Sequence, residues 1–561
     1  MKASHIALAL ALAGAGHLAM AGQAGAASFT GTVRDASGKA VAAAIVSLAD
    51  EKAGIAESAY TDAEGRFTLS TRLSGTLAYR VRRPYFADAT GSLSLGSDGA
   101  AREDVTLTRL TDAGEISDGL PAAYHFARIA FAPGTPFARD QFQRDCLTCH
   151  QLGNEFTRWP RKAAEWDDTI VRMHAYLGNF DGALRQRRSE MLAAAFDGTP
   201  TPLRPDFPAD PLVARARLTE YRLDQGKIPH DAEVNPDDGL VYTVDQQAET
   251  MAITNLATGH TDYVPAPHEG MNKGGKFARM GLKPLLDVYR GPHSLTLGQD
   301  GKWYVTDTIS SEIGVFDPKT KAWEKSHEIG GNSLYPHTIR TAPDGMIWFT
   351  IIATNEVGRL DPKTGKVDVV KLPQDSATAM SDSNAPYGID VDPRDGGVWY
   401  AKLFADRIGR IDPKTLAVVE HVSPVKGPRR MRFDRQGQLW VAGYSDGIIA
   451  RIHTKDFTSE LFPMPEFAPG VRPAPYALGI NPLTGDVWVN ETMTDHLYRL
   501  IPGEKHWVAY PMPLRGTYTR DTSFTKDGAA CMSNNPIPVD ALEGGVAELI
   551  CLQPDAATAT N

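Results

Sequence analysis

The sequence predicts a multidomain, mainly β protein: an N-terminal β-sandwich, a small helical segment and a seven-bladed β-propeller. Three observations predict this fold class. Residues 28–110 contain short runs of alternating apolar and polar residues, separated by turns rich in Gly and Asp. Residues 116–216 contain two stretches with helical periodicity. Residues 218–555 repeat one pattern about seven times, at a period of roughly 42–50 residues that is typical of propeller blades.

Length and composition limit the number of domains and the classes of partner that we expect for the chain. A chain of 561 residues is expected to form two to four domains. With 42% hydrophobic and 22% charged residues it has the composition of a globular protein. The net charge of −10 argues against nucleic acid or an anionic membrane surface as a partner.

Residues 1–27 read as a signal peptide. Lys2 is followed by an apolar run over residues 6–15, and small residues suited to cleavage occur at residues 19–21 and 24–26. The apolar run is too short for a membrane anchor, and no later segment is long and apolar enough to be a transmembrane helix. We therefore expect an exported, periplasmic protein with no transmembrane segment.

The segment 28–110 has the pattern of a small sandwich. Its apolar alternation is clearest at Phe29 to Val33 and at Arg66 to Leu69, with turns that end at Gly38 and Gly65. Its Gly-Thr-Val start, its Ala-Ile-Val strand and its Gly-Arg-Phe strand resemble the carboxypeptidase-regulatory, transthyretin-like sandwich. The resemblance implies a spacer or docking unit and says little about activity.

A single motif organises the next segment, 116–216. Cys146-Leu-Thr-Cys149-His150 has the spacing at which two thiols attach to a c-type haem and the adjacent imidazole binds its iron. The alternatives are a redox dithiol, which does not need His150, and half of a zinc site, which needs more ligands than this stretch provides. We therefore predict one covalent haem c, with Cys146, Cys149 and His150 binding the cofactor.

Such a haem needs a second axial ligand. The apolar residues between Trp166 and Met173 repeat at helical spacing, and a second helix follows over residues 184–196. Met173 is the first candidate ligand, in an arrangement that resembles other small monohaem cytochromes; the alternative is a methionine that packs in the core. The other candidate ligands are His174, Met191 and His125. A Pro-rich linker follows over residues 200–211.

The repeated unit reads as a strand that begins with Pro, an Asp-Gly turn, a strand with Trp, and a strand that ends at Asp-Pro. The alternatives to a propeller are a β-solenoid or tandem sandwiches. Trp is expected to pack between blades. Residues 263–291 form an insertion that would act as a lid or a flap facing the haem. The pattern from Pro336 to Pro362 resembles the blade of the virginiamycin B (streptogramin) lyase family, which implies seven blades over about 219–551.

The last two cysteines, Cys531 and Cys551, lie in the final unit. An oxidising compartment permits a disulfide between them, and two separate buried thiols are the alternative. A disulfide would hold the last blade in place.

The residue after each unit's first Pro is expected to face the mouth of the central channel. These residues are polar or aromatic, where a packed core would hold aliphatic groups: His230, His293, His337, Tyr387, Arg429 or Arg430, Tyr476 and Arg520. The ends of the Trp-bearing strands add Asp245, Asp307, Lys402, Tyr444, Glu491 and Asn534. Each residue alone is explained by hydrogen bonding to the channel edge. The three histidines together predict a ligand site, or a divalent metal held with Asp307 or Glu491.

The lyase resemblance implies a magnesium-assisted elimination by a His and a Glu of one late unit. Here the late units pair Tyr476 with Glu491 and Arg520 with Asn534, and only His293 and Asp307 keep an acid–base pair of that spacing. An elimination needs a base and a group that stabilises negative charge. We therefore predict catalytic roles for His293, Asp307 and His337, and substrate binding by His230, Tyr387, Arg429, Tyr476, Glu491 and Arg520.

A covalent haem has no role in an elimination but can move electrons. The first functional hypothesis is therefore a periplasmic, haem c-dependent oxidoreductase that binds a small molecule at the propeller mouth and passes electrons to a partner protein. The second is a carbon–oxygen lyase of the virginiamycin B type. The third is a binding or sensor propeller without catalysis.

Overall fold

The computed structural model describes residues 27–176, 181–375 and 384–556. The expected signal peptide, 1–27, lies outside the described residues except for its last residue.

The N-terminal segment is a β-sandwich, as the sequence predicts. One sheet has the strand order β4-β1-β7, and β3-β2-β5-β6 form the facing layer. The apolar residues of the alternating strands, such as Phe29, Val46 and Phe67, are buried between the two layers. The strands are β1 (Ala27–Asp35), β2 (Ile45–Asp50), β3 (Ile55–Tyr60), β4 (Arg66–Thr71), β5 (Gly75–Arg82), β6 (Ala89–Leu95) and β7 (Ala100–Leu107).

Five α-helices follow among the described residues of the segment that carries the Cys-x-x-Cys-His motif. The two long ones, α4 and α5, lie where periodicity predicts helices. Trp166, Ile170 and Leu192 bury the apolar faces of these helices in a core that also contains residues of the repeated sheets. The helices are α1 (Ala113–Asp118), α2 (Ala122–Phe126), α3 (Arg139–Cys146), α4 (Ala163–Tyr176) and α5 (Gly182–Ala195). The Pro-rich residues that follow contain no regular strand or α-helix up to Arg217.

The repeats form antiparallel sheets, each built from strands consecutive in sequence. The first three consist of β9 (Pro229–Val234), β10 (Val241–Asp245), β11 (Thr250–Thr254) and β12 (Thr261–Pro265); β13 (Pro292–Leu297), β14 (Trp303–Asp307), β15 (Glu312–Asp317), β16 (Ala322–Trp323) and β17 (His327–Glu328); and β18 (Pro336–Thr341), β19 (Ile347–Ile351), β20 (Glu356–Leu360) and β21 (Val367–Lys371). The insertion between the first two sheets carries a short helix, α6 (Gly275–Arg279).

Three further sheets have four strands each, as the first and third sheets do. They consist of β22 (Pro386–Val391), β23 (Val398–Lys402), β24 (Arg407–Ile411) and β25 (Val418–Val422); β26 (Pro428–Phe433), β27 (Leu439–Gly443), β28 (Ile448–His453) and β29 (Thr458–Pro463); and β30 (Pro475–Ile480), β31 (Val487–Glu491), β32 (His496–Ile501) and β33 (His506–Pro511).

The last sheet joins the two ends of the repeat region. β34 (Ser523–Phe524), β35 (Ala530–Asn534) and β36 (Glu548–Gln553) pair in order, and β36 then pairs with β8 (Arg217–Arg222), which precedes the first repeat. The first strands of successive sheets contact one another from β9 to β30, and β34 and β35 contact β9. The arrangement is propeller-like, with the first strand of each sheet innermost.

The Trp of the second strand is buried in five sheets, as expected for a packing residue: Trp303, Trp348, Trp399, Trp440 and Trp488. No helix of the described residues is long and apolar enough to cross a membrane.

The sandwich and the repeat region share one sheet. β8 pairs with β36 on one side and with β3 of the sandwich on the other, with Tyr221 opposite Ile55 and Arg217 opposite Ala59. The result is a continuous eight-stranded sheet of order β34-β35-β36-β8-β3-β2-β5-β6. The N-terminal segment is thus attached by backbone pairing.

Candidate functional site

A cavity of about 730 Å³ lies between the helical segment and the inner ends of the repeated sheets. This volume is within the range of small-molecule and cofactor sites. Its polar lining includes Cys146, Cys149, His150, Met173, His174, His230, Gln246, His293, Tyr335, His337, Tyr387, Tyr476 and Arg520. Its apolar lining includes Leu152, Phe156, Trp166, Ile170, Leu192, Phe277, Leu285, Leu286, Ile352, Leu403 and Phe404. The motif and six of the predicted channel residues therefore face one space.

The motif occupies the end of α3 and the turn after it. Cys146 is the last helical residue, and neither Cys146 nor Cys149 is in a disulfide. The imidazole Nδ1 of His150 lies 2.7 Å from the backbone oxygen of Gln151. A hydrogen bond from Nδ1 to a carbonyl leaves Nε2 as the ligating atom, which is the usual arrangement of a metal-binding histidine. Two free thiols and an oriented imidazole on one cavity wall fit a covalently attached haem.

Hydroxyl groups of the repeat region hold the motif in place. Tyr444 and Tyr518 each donate a hydrogen bond of 2.6 Å to the backbone oxygen of Leu147, and Tyr518 is also 2.8 Å from that of Thr148. The amide of Ile537 donates to the backbone oxygen of Cys149 at 2.9 Å. The motif is therefore fixed against the innermost part of the sheets.

Residues on both sides of the motif add polar contacts. Arg144 forms an ion pair with Asp406 at 2.8 Å, and its Nε donates to Ser445. The side-chain amide of Gln151 donates to Asp495 at 2.8 Å and to the backbone oxygen of Thr517 at 2.9 Å. Arg144 and Gln151 are both buried, whereas the side chain of Asp406 is partly exposed.

Two of the candidate axial ligands reach the cavity. Met173 and the adjacent His174 line it from α4. His174 is buried, its Nδ1 has no hydrogen-bond partner among the described residues, and burial followed by the charge of Arg188 lowers its pKa to about 4. The other two candidates lie elsewhere: Met191 is packed in the core, and His125 bonds to the backbone oxygen of Ser117.

The three predicted histidines form a continuous row. The ring centroids of His230 and His293 are 3.6 Å apart, and those of His293 and His337 are 4.1 Å apart. Burial, followed by the charge of Arg520, lowers the pKa of His230 to about 3. Burial also lowers the pKa values of His293 and His337 well below the usual range, with smaller effects from neighbouring charges. All three are thus neutral near pH 7, so each carries one unprotonated ring nitrogen.

The row continues into tyrosines and arginines. The ring of Tyr387 lies 4.1 Å from that of His337, and its hydroxyl is 3.0 Å from that of Tyr476. Burial alone would raise the pKa of Tyr476, but the charges of Arg520, Arg429 and Arg430 outweigh it and lower this pKa. The resulting site combines proton acceptors with positive charge.

The structure does not bring three of the predicted site residues to the cavity. Asp307 is buried in an ion pair with Arg290 at 2.6 Å, instead of serving His293. Glu491 accepts hydrogen bonds from the amides of Ala474, Met493 and Thr494, so it holds a loop. Arg429 lies behind the lining.

Arg429 packs against three aromatic rings. Its guanidinium carbon is 3.9 Å from the ring centroid of Tyr476, 4.2 Å from that of Tyr444 and 4.5 Å from that of Tyr387. Its Nη2 donates to the Tyr387 hydroxyl at 2.7 Å. Its positive charge would therefore attract an anionic ligand from behind these rings, without direct contact.

The remaining predictions concern the cysteines and a metal. Cys531 and Cys551 are joined by a disulfide between the paired strands β35 and β36. The described ranges contain no group of three or more His, Cys, Asp or Glu side chains arranged to hold a metal ion.

The sequence pattern missed several residues of the site. Tyr335 lines the cavity and accepts a hydrogen bond from Gln246 at 3.2 Å. Tyr518 packs against Tyr476 and holds the motif. Both stand two positions before a predicted channel residue, His337 and Arg520, so a tyrosine at this offset in two units was the available signal.

Comparison with known proteins matches two segments. The virginiamycin B lyase family matches residues 278–431, which include His293, His337, Tyr387 and Arg429. The carboxypeptidase regulatory-like domain matches residues 28–108. No curated protein matches the chain.

Solved structures similar to the chain include a selenomethionine-substituted virginiamycin B lyase from Staphylococcus aureus, at 20% identity and a TM-score of 0.47, covering 60% of this chain and 99% of that one. A catalytically inactive form of that lyase with quinupristin gives 22% identity and a TM-score of 0.47 over the same shares. Hydrazine synthase of Kuenenia stuttgartiensis gives 14% identity and a TM-score of 0.42, covering 54% of this chain and 92% of that one. The chain thus combines a virginiamycin B lyase-like propeller segment with a carboxypeptidase regulatory-like domain.

Proposed function

We propose that the chain is an exported, haem c-binding oxidoreductase whose seven-bladed propeller presents a small-molecule substrate to the haem. The observation that carries this proposal is the shared cavity: Cys146, Cys149 and His150 face the same space as His230, His293 and His337. A covalent haem in a chain with an export signal belongs in the periplasm. Its electrons would pass to a partner protein.

The residues on the cavity wall have separable roles in this proposal. Cys146 and Cys149 would attach the haem, His150 would bind its iron, and Met173 would be the second ligand, with His174 next to it as the alternative. A bound haem supplies one-electron transfer. The neutral imidazoles of His293 and His337 would accept the proton that an oxidised substrate releases. The Tyr444 and Tyr518 hydroxyls would fix the distance between the haem and these groups.

The test is an absorption spectrum of the periplasmically expressed protein, produced with a haem-attachment system, before and after dithionite. We expect a sharp reduced band that persists after acid–acetone extraction. His150→Ala should alter this spectrum, whereas His260→Ala, at an exposed histidine outside the cavity, should not. A folded protein without covalent haem would contradict the proposal.

The family match favours a second candidate, a lyase. The matched residues 278–431 contain His293 as a neutral base, and Arg520, which lines the same cavity, would stabilise negative charge that develops on the substrate. A virginiamycin B lyase binds quinupristin in a solved structure, so quinupristin with Mg²⁺ is the probe. Chromatography with fragmentation mass spectrometry should then detect a linear isomer of quinupristin, of unchanged mass, in a Cys146→Ala/Cys149→Ala variant, and none after a further His293→Ala change. Absence of product in the double variant excludes this candidate for that substrate.

A further inference from the structure

Two buried arginines, one on the cavity wall and one behind it, have no carboxylate partner among the residues that the structure describes. Arg429 and Arg520 are each no more than 1% exposed. Among the ion pairs of the described residues, neither side chain takes part in one, although Arg520 lines the cavity directly. Arginine keeps its charge in proteins, so these are two buried positive charges.

Their hydrogen bonds are also incomplete. Within the described ranges Nε of Arg520 has no partner, its Nη1 is 3.4 Å from the Tyr476 hydroxyl, and its Nη2 donates to the backbone oxygen of Asn535 at 3.1 Å. Nε and Nη1 of Arg429 have no partner in these ranges either. A guanidinium has five donors, and leaving them unused in a buried site is unfavourable.

The nearby carboxylates are already used. Arg430 forms ion pairs with Asp231 at 2.8 Å and with Asp521 at 2.9 Å. Arg340 at 2.8 Å and Arg432 also contact Asp521. These carboxylates therefore have no spare negative charge for Arg429 and Arg520. A buried charge without a counter-charge strongly destabilises a fold, and an anionic ligand would relieve that.

We propose that the substrate of this cavity is an aromatic or similarly apolar carboxylate, with its carboxylate bound by Arg520 and the Tyr476 hydroxyl. The proposal deepens the proposed function and rests on it in taking the cavity as the substrate site. The apolar part of the ligand would lie against the lining that includes Phe277, Leu286 and Ile352. Arg429, stacked on Tyr476 and Tyr387, supplies further positive potential from behind these rings.

A haem propionate has the same carboxylate chemistry and is the other source of a counter-charge for Arg520. The two sources differ in a testable way. A substrate carboxylate binds Arg520 when the haem is in place, whereas a propionate would already occupy Arg520 in the haem-loaded protein.

The experiment is calorimetric titration of the full chain with benzoate, and with benzamide as the neutral molecule of similar shape. We expect benzoate to bind at least tenfold more tightly than benzamide. Arg520→Gln should weaken benzoate binding at least tenfold and Arg520→Lys less so. Arg410→Gln should leave binding unchanged, since Arg410 is a partly exposed arginine paired with Asp395 on β24. Equal binding of both probes, or unchanged benzoate binding in folded Arg520→Gln, would overturn the proposal.

Two further measurements keep the test decisive. Tyr476→Phe removes the hydroxyl and retains the ring, and it is the second variant if Arg520→Gln fails to fold. A clear loss of benzoate affinity in Tyr476→Phe supports the proposal, and an unchanged affinity overturns it.

The titration is repeated on haem-loaded protein and on Cys146→Ala/Cys149→Ala. Benzoate binding to both supports a substrate site, and binding only to the variant identifies Arg520 as a propionate partner and overturns it. If the wild-type chain takes up no covalent haem and still binds benzoate through Arg520, the proposed redox function is refuted and the ligand class stands.

Discussion

At the scale of single residues, carboxylates at the ends of second strands bind groups of the adjoining loops. Asp245, Asp307 and Glu491 occupy equivalent places at the ends of second strands. Asp245 accepts hydrogen bonds from the amides of Ile228 and Ala248, as Glu491 does from its own loop. Residue type and spacing predict an acid next to a base but do not give the direction of the side chain. The recurrence of the carboxylate in the unit of Glu491, where Tyr476 takes the place of the histidine, would have indicated a structural role.

The pKa of Glu543 predicts how the stability of the fold depends on pH. Burial opposes ionisation of Glu543, but the hydrogen bonds and charge of Arg82 outweigh it and lower its pKa to about 2. Because this pKa lies below the unfolded value, the ionised group stabilises the fold above about pH 5, and this contribution is lost as the pH falls toward 2. Glu543→Gln should lower the free energy of unfolding by about 2 kcal/mol at pH 7 and by much less near pH 2.5, measured by urea unfolding.

The control for this prediction is Glu64→Gln. Glu64 pairs with Arg66 at 2.6 Å, but both side chains are mostly exposed. An exposed pair contributes little, so the free energy of unfolding should change by less than about 0.5 kcal/mol. A difference for Glu543→Gln that stays constant between pH 7 and pH 2.5 would contradict the assigned cause.

At the scale of elements, local sequence patterns predicted the long helices and the first strands of the repeats. The long helices fall at Ala163–Tyr176 and Gly182–Ala195, and each clear repeat begins its first strand at the predicted Pro. The long-range pairings were not predictable: β8 carries no sequence feature that selects β3 and β36 as its partners. In the same way, the histidines and tyrosines of the mouth were predicted as a group because they repeat. The contact of Tyr444 and Tyr518 with the motif depends on two segments distant in sequence.

The turn after α3 gives a prediction at this scale. The single proton of the Tyr518 hydroxyl is shared between two backbone oxygens of the motif, those of Leu147 at 2.6 Å and Thr148 at 2.8 Å. Tyr518→Phe leaves these buried acceptors with fewer partners, which costs about 1–3 kcal/mol locally. We expect at least tenfold faster amide hydrogen exchange over residues 146–151, with little change in the sandwich. Tyr79→Phe, on β5, is the control and should leave exchange in the motif unchanged. Equal exchange of the motif in wild type and Tyr518→Phe would show that the hydroxyl does not fix it.

At the scale of the whole molecule, the sandwich is a structural part of the repeat region. The continuous sheet places β3 along the outer edge of β8, the strand that completes the last repeated sheet. Further contacts join the two parts: the Tyr60 hydroxyl donates to the backbone oxygen of Pro511 at 3.0 Å, and Arg82 contacts both Glu543 and the backbone oxygen of Pro513. The resemblance implies a spacer or docking unit, and the structure gives the sandwich a specific position, in which β3 covers the open edge of β8.

This arrangement predicts the effect of removing the sandwich. A chain that begins at residue 112 loses the pairing of β3 with β8, which leaves the backbone amides and carbonyls of β8 exposed along an open edge. Exposed strand edges pair with other chains, so the truncated chain should associate as its concentration rises, measured by sedimentation velocity, and melt at a lower temperature. Full-length Glu543→Gln is the matched control: it removes the ion pair with Arg82 but keeps the strand pairing, so it should remain as monodisperse as the wild type. If the truncated chain has the sedimentation behaviour and melting temperature of the intact protein, β8 does not need the sandwich to cover its edge. If Glu543→Gln also associates, the association follows from loss of the ion pair and not from the exposed sheet edge.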